Sequence, residues 1–244
     1  MSTSVERTLS ILELLAGAED SMTLATVATS LEIPRSTAYK ILRSLVERGF
    51  VTVEDDNTYA VGLKAFEVGA AHLRRSNVVD VIAPFLTRVT QRLGVTSHYA
   101  VLDGTDVVYL YKEDPPATAI RLASSLGVRL PAAITAVGKS CLAWQPEARL
   151  TGHLDGLSVN GTGTSRSDLL AELARVRERG FSTDDGDTAD GIRCVAAPIF
   201  DFSGPRGAIG VSHMLTSTVD EEQVATEVKD AADAVSSRLG GKRT

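Results

Sequence analysis

The first sixty residues change hydrophobic period twice, and that pattern admits few folds. Val5, Leu9, Ile11, Leu12, Leu14 and Leu15 recur at helical spacing, and Gly17 is expected to stop the run. Thr23 precedes a second short helical segment, Leu24 to Ser30, and is placed to cap it. Leu31-Glu32-Ile33-Pro34 reads as a turn, since proline has no N–H to donate and suits the first position of a following helix. From Pro34 to Arg48, Ala38, Ile41, Leu42 and Leu45 form an inner stripe. Arg35, Ser36, Tyr39, Lys40 and Arg43 fall on the opposite face. After Gly49 the period shortens to that of strands, in Phe50–Val53 and Thr58–Val61, around the polar turn Glu54-Asp55-Asp56-Asn57. Three helices followed by a hairpin predict a winged helix-turn-helix.

A further helix is expected from Gly62 to Arg75, ending in the basic pair Arg74-Arg75, with a domain boundary at Ser76-Asn77. Beyond it the pattern alternates. Helices are expected over Asp80–Leu93, Thr135–Trp144, Arg166–Arg179 and Asp220–Leu239. Strands are expected over Ser97–Leu102, Val107–Lys112, Ala119–Leu122, Cys194–Asp201 and Gly207–His213. The last pair would turn through Phe202-Ser203-Gly204-Pro205-Arg206, and Gly161 to Ser165 reads as a flexible loop. Strand pairs flanked by helices point to an antiparallel sheet in an α+β domain. With 43% hydrophobic residues and 23% charged ones, the 244-residue chain has ample material for a core and is no disordered protein. No apolar stretch approaches the length of a membrane span, and the N-terminus, Met1 to Arg7, has no apolar h-region, so no leader is expected.

Charge sharpens the reading of the third helix. The chain has a net charge of −6, which taken alone argues against nucleic acid as a partner. Pro34–Gly49 nevertheless holds Arg35, Lys40, Arg43 and Arg48 against the single acid Glu47. A helix fits the major groove, where Arg and Lys reach guanine edges or phosphates and Ser, Thr and Tyr hydroxyls bond phosphate oxygens. Arg35, Ser36, Thr37, Tyr39, Lys40 and Arg43 are therefore the candidate DNA contacts. A solvated charged face would have the same composition; the short preceding helix, the turn and the hairpin favour DNA. The acidic tip formed by Glu54, Asp55 and Asp56 would repel phosphates and argues against deep insertion of the wing.

Catalytic patterns are missing. There is no G-x-S-x-G, H-E-x-x-H or Walker loop, and Gly161-Thr162-Gly163 lacks the third glycine of a dinucleotide fingerprint. His72, His98, His153 and His213 do not pair at metal spacing, and each reads as structural. Asp184-Asp185-Gly186-Asp187 lacks EF-hand spacing and reads as a solvated turn or strand edge. Cys141 and Cys194 lie 53 residues apart with no C-x-x-C, which fits a reduced cytoplasmic protein. Cys194, opening an apolar strand, reads as a small core residue. No catalytic residue, metal or cofactor is expected. Two other readings stay open: a redox-responsive regulator using Cys194 with Cys141, and an enzyme fused to a DNA-binding domain, with Asp184 and Cys194 as its reactive pair.

The chain resembles the IclR family of bacterial transcriptional regulators over nearly its whole length. The resemblance rests on Ser4-Val5-Glu6-Arg7, Ile33-Pro34-Arg35-Ser36-Thr37, Leu42 to Val51 and Tyr59 to Lys64. It continues through Ala100 to Gly104, Gly127 to Pro131, Gly138-Lys139, Val176 to Phe181 and Gly191 to Asp201. It implies a winged helix-turn-helix in residues 1–62, a linker helix in 63–76 and a GAF-like α/β effector-binding domain with a mostly antiparallel sheet in 77–244. It further implies a repressor-type regulator that binds double-stranded operator DNA as a homodimer or homotetramer and responds to an organic acid or aromatic metabolite. The effector residues it implies are Ala136, Val137, Asp184, Cys194, Gly210 and Ser212. Gly210 stands where the family often has a hydroxyl residue, and Ala132-Ala133 where it often has histidine. The loss of hydroxyls and of bulk leads us to expect a larger or more apolar effector.

Overall fold

The computed structural model describes residues 3–74, 77–116, 125–146, 150 and 165–242. The expected strand Ala119–Leu122, the loop residues 161–164, His153, Arg75 and Ser76 lie outside the described residues. The chain divides into two compact units, Met1–Ser76 and Asn77–Thr244.

The first unit runs α1 (Ser4–Gly17), α2 (Leu24–Ser30), α3 (Arg35–Glu47), β1 (Val51–Val53), β2 (Tyr59–Val61) and α4 (Leu63–Arg74). Thr3 and Glu6 form a reciprocal capping box on α1, and Thr23 Oγ1 accepts the Thr26 N–H at 3.1 Å. Gly17 lies inside α1, and the helix instead ends as Ala18 takes an extended conformation. Pro34 is the cap of α3 rather than its first residue. The core is Ile11, Leu15, Val27, Ile41, Leu42, Leu45 and Val51, so the stripe read from period 3.6 faces inward. β1 and β2 pair antiparallel, with Val51 opposite Val61. Asn57 turns the hairpin at φ 61, a left-handed conformation that asparagine tolerates. At the base of the hairpin, a Cβ on Gly62 would meet the Gly49 carbonyl oxygen at 2.3 Å, so only glycine lets the two backbones meet there.

The second unit begins with α5 (Val78–Leu93), β3 (Thr96–Asp103), β4 (Asp106–Glu113), β5 (Arg129–Pro131) and α6 (Ala136–Leu142). It continues with α7 (Arg166–Arg179), β6 (Ser182–Asp185), β7 (Ile192–Asp201), β8 (Gly204–Met214) and α8 (Glu221–Arg238). The six strands form one antiparallel sheet in the order β5-β4-β3-β8-β7-β6. One face packs on α5 and α8 through Ile82, Leu86, Val211, Val228 and Val235. The other packs on α6 and α7 through Val137, Leu142, Leu169 and Leu173. With aromatics scarce, both layers are built from Val, Leu, Ile and Ala.

The second unit departs from the sequence reading in ways that have physical reasons. The β7–β8 turn narrows to Phe202-Ser203, and Pro205 stands inside β8 opposite Phe200, where the register shifts and no N–H is required. β5 and β6 are edge strands of three and four residues, too short to show a period. Asp184, read as part of a solvated turn or edge, does lie on an edge strand, yet it is buried, because the α6 layer covers that edge.

Candidate functional site

On α3 the inward packing of Ala38, Ile41, Leu42 and Leu45 leaves Arg35, Ser36, Tyr39, Lys40 and Arg43 exposed and Thr37 half-buried. Arg35 and Lys40 form no ion pair among the described residues, whereas Arg43 meets Glu47 at 3.4 Å one turn on. That pair is about two-thirds exposed at each end, so water screens it and it costs little to break. The face therefore offers a row of cations and hydroxyls with the helix N-terminus at one end. The wing tip is opposite in character. Glu54, Asp55 and Asp56 are exposed, and hydrogen bonds from the Thr58 hydroxyl and N–H hold Asp56 below the usual carboxylate range.

In the second unit the sheet brings the remaining candidates together. Register places Asp184 opposite Cys194, Cys194 opposite Ser212, and Ser212 opposite Thr96, one row across four strands. Cys194 Sγ and Ser212 Oγ are 3.1 Å apart. The next row joins Ser182, Ala196, Gly210 and His98. Ala136 and Val137, both buried, form the first turn of α6 over this face. Thr135 caps the helix by accepting the Gly138 N–H at 3.1 Å. α6 seats closely: a Cβ on Gly138 would lie 2.1 Å from the Ala132 carbonyl oxygen. Ser182 Oγ donates to the Ala136 carbonyl at 2.6 Å and lies 2.7 Å from Ser140 Oγ, which donates to the Ala196 carbonyl at 2.9 Å. Thr96 and Ser212 also line a cavity of about 340 Å³ at the end of the sheet, with Val95, Ile192 and Met214.

Charge in this face is committed to local partners. Asp184 accepts the Asp187 N–H at 2.8 Å and the Thr188 hydroxyl, yet burial raises its carboxyl above the ordinary range. Lys139 donates to the Thr183 carbonyl at 2.9 Å and pairs with Asp187 at 3.3 Å. Burial pushes both thiols, Cys141 and Cys194, up to about 12. A thiol protonated at neutral pH is a poor nucleophile and a slow redox sensor, so neither residue suits those roles. Among the described residues no group of three or more His, Cys, Asp and Glu is placed to hold a metal ion. No described helix is long and apolar enough to cross a membrane.

Two residues join this face that the sequence reading had no means to place. His98 is buried, and a Cβ on Gly210 would lie 2.9 Å from its Nε2. The Tyr109 ring stands edge-on to the imidazole, with centroids 5.2 Å apart. Burial, with Cys194, Asp184 and Cys141 nearby, raises the Tyr109 phenol above its ordinary range. The signal for His98 lay in its strand parity with Ala100, and became legible only once Gly210 was known to be its neighbour. The space that Gly210 leaves is thus filled by His98, so its missing side chain is no argument for a roomier site.

Comparison with known proteins agrees with both units. Residues 4–55 match the IclR helix-turn-helix domain, and residues 70–237 match the bacterial transcriptional regulator IclR C-terminal domain. The HTH-type transcriptional regulator XynR of Escherichia coli K12 is 31% identical over 245 residues, covering 97% of each chain. The transcriptional repressor IclR of the same organism is 32% identical, covering 98% of this chain and 91% of its own. The crystal structure of the Thermotoga maritima IclR superposes with a TM-score of 0.77 at 31% identity, over 97% of this chain and 98% of that one.

Proposed function

The chain belongs to the IclR family of bacterial transcriptional regulators, and from that premise we propose how its parts divide the work. It is a regulator rather than an enzyme, with a helix-turn-helix DNA-binding domain and a C-terminal domain for small-molecule effectors. In our reading residues 1–62 bind double-stranded operator DNA, 63–76 form a linker helix and 77–244 sense the effector in the cytoplasm. Arg35, Ser36, Thr37, Tyr39, Lys40 and Arg43 contact the operator. The observation that carries this assignment is the pair of cations Arg35 and Lys40, unpaired among the described residues, on a helix whose opposite face is core.

Ala136, Val137, Asp184, Cys194, Gly210 and Ser212 surround the effector, an organic acid or aromatic metabolite. Their gathering on one face of the sheet beneath α6 supports this. The working unit is a homodimer, or a homotetramer built from two. Val5 and Leu9 on α1, and Leu63, Phe66 and Val68 on α4, are exposed by 54–74%, more apolar surface than a solitary domain leaves in water. A second copy covering them would present two α3 helices to a palindromic operator. The effector then acts by population shift, binding one arrangement of the dimer better and so changing the fraction able to hold DNA. Release of DNA by effector would make the chain a repressor.

Binding to a pool of random DNA duplexes, selected and then measured by fluorescence anisotropy, tests the first assignment. Arg35→Ala and Lys40→Ala should each weaken the selected site at least tenfold; unchanged binding in both removes α3 as the reader. Repeating the measurement with a panel of organic and aromatic acids tests the second.

A further inference from the structure

His98 presents a combination that nothing in the fold requires. It is 1% exposed, and neither ring nitrogen hydrogen-bonds a described residue. A buried polar group without a partner is a standing cost, and such groups are retained where a ligand or water completes them. Its neighbours give the cost a setting. Nε2 faces the bare backbone of Gly210, between Ala196 and Ser212. The Tyr109 ring closes the other side, and its hydroxyl likewise bonds no described residue. Replacing Gly210 by any other residue would drive a Cβ into the imidazole, to 3.0 Å from the Val195 carbonyl and 3.1 Å from the Ala196 Cβ. Glycine on β8 and histidine on β3 are therefore a matched pair, one making the space the other fills.

We propose that His98 and Tyr109 are specificity-determining residues of the effector site, supplying an uncharged hydrogen-bonding end that takes a hydroxyl group on a flat ring and not a compact keto acid. The assignment rests on the reading that this face holds the effector. The chemistry follows from what surrounds the pair. Burial, aided by the charge of Lys112, lowers His98 to about 3, so the ring is neutral and offers one donor and one acceptor. Lys139 is already held by Thr183 and Asp187, and the Asp184 carboxyl sits in the same face. A small carboxylate would enter beside an acid with no cation released to meet it. A hydroxyl can donate to one group and accept from the other. Ala136, Val137 and Ala196 line the same face and suit a ring's apolar body.

Isothermal titration calorimetry on the full chain, with phenol and with pyruvate as probes, tests this. The wild type should bind phenol and give no heat with pyruvate. His98→Phe and Tyr109→Phe should each weaken phenol binding about tenfold, the value of one ligand hydrogen bond. His98→Phe should at the same time leave the melting temperature unchanged or raised, because it removes the orphaned nitrogen. A residue of merely structural value would show the reverse, with stability lost and affinity kept. Pyruvate binding without phenol binding, no binding of phenol, or phenol binding untouched in both variants overturns the proposal. Should phenol bind through His98 yet leave operator affinity unchanged, the reading of this face as the effector site fails, and the pair stands only as a hydroxyl-binding site.

Discussion

The two serines that hold α6 to the sheet provide a measurable coupling. Ser140 and Ser182 are fully buried, and their two hydroxyl protons are shared among three contacts, Ser182 with the Ala136 carbonyl, Ser140 with the Ala196 carbonyl, and Oγ with Oγ at 2.7 Å, so one serine's choice of acceptor constrains the other's. Ser182→Ala deletes the donor at Ala136 and, with it, the shared Oγ–Oγ contact. Losing a buried, satisfied hydroxyl in this way costs about 1–3 kcal/mol, and we expect about 2. Ser140→Ala deletes the donor at Ala196 and the same Oγ–Oγ contact, for a similar loss. The shared bond weighs on both single variants but disappears only once in the double variant. The double variant should therefore cost about 1 kcal/mol less than the sum of the two. Urea unfolding reads this directly, because the sole tryptophan, Trp144, lies just beyond α6 and packs edge-on against Phe200 at 5.5 Å. Additivity to within about 0.3 kcal/mol would refute the shared contact, and would mean that each hydroxyl serves its own carbonyl alone.

Three further outcomes follow from the same geometry. Lys40→Ala should flatten the dependence of log affinity on log salt by about 0.9 for each phosphate the lysine neutralises, or about two for an operator holding two copies; a parallel line would place Lys40 away from phosphate. His98 is lowered to about 3 in the fold against about 6.5 when unfolded, so between these values the unfolded chain binds the extra proton. Stability should fall by about 1.4 kcal/mol per pH unit on acidifying through that window, and His98→Phe, titrated alongside, should lack that part of the loss. With both thiols pushed up to about 12, iodoacetamide at neutral pH should modify buried Cys141 and half-buried Cys194 far more slowly in the native chain than in urea; rapid native labelling would contradict the raised thiols and reopen a redox role.

Local chemistry made the first unit legible. Apolar residues three and four apart declared each helix, Thr23 declared a start, and the shift to alternation after Gly49 declared the hairpin, because these signals act within a turn or two of chain. The charged face of α3 could be read for the same reason: a helix fixes which side chains share a side. Exposure of Val5, Leu9 and Phe66 was not legible, since period marks a stripe as apolar without saying whether this chain or another covers it.

The sequence alone determined that a basic helix would stand on a small helical core before a hairpin, that an α+β domain would follow, and, through its motifs, which family the chain resembles. Only the tertiary structure decided that Asp184, Cys194, Ser212 and Thr96 form one row, that Asp184 is buried, and that His98 occupies the space above Gly210. The reason is sequence distance. His98 and Gly210 come together only when β3 pairs with β8, a pairing made across most of the second unit, and no local preference of either residue encodes it.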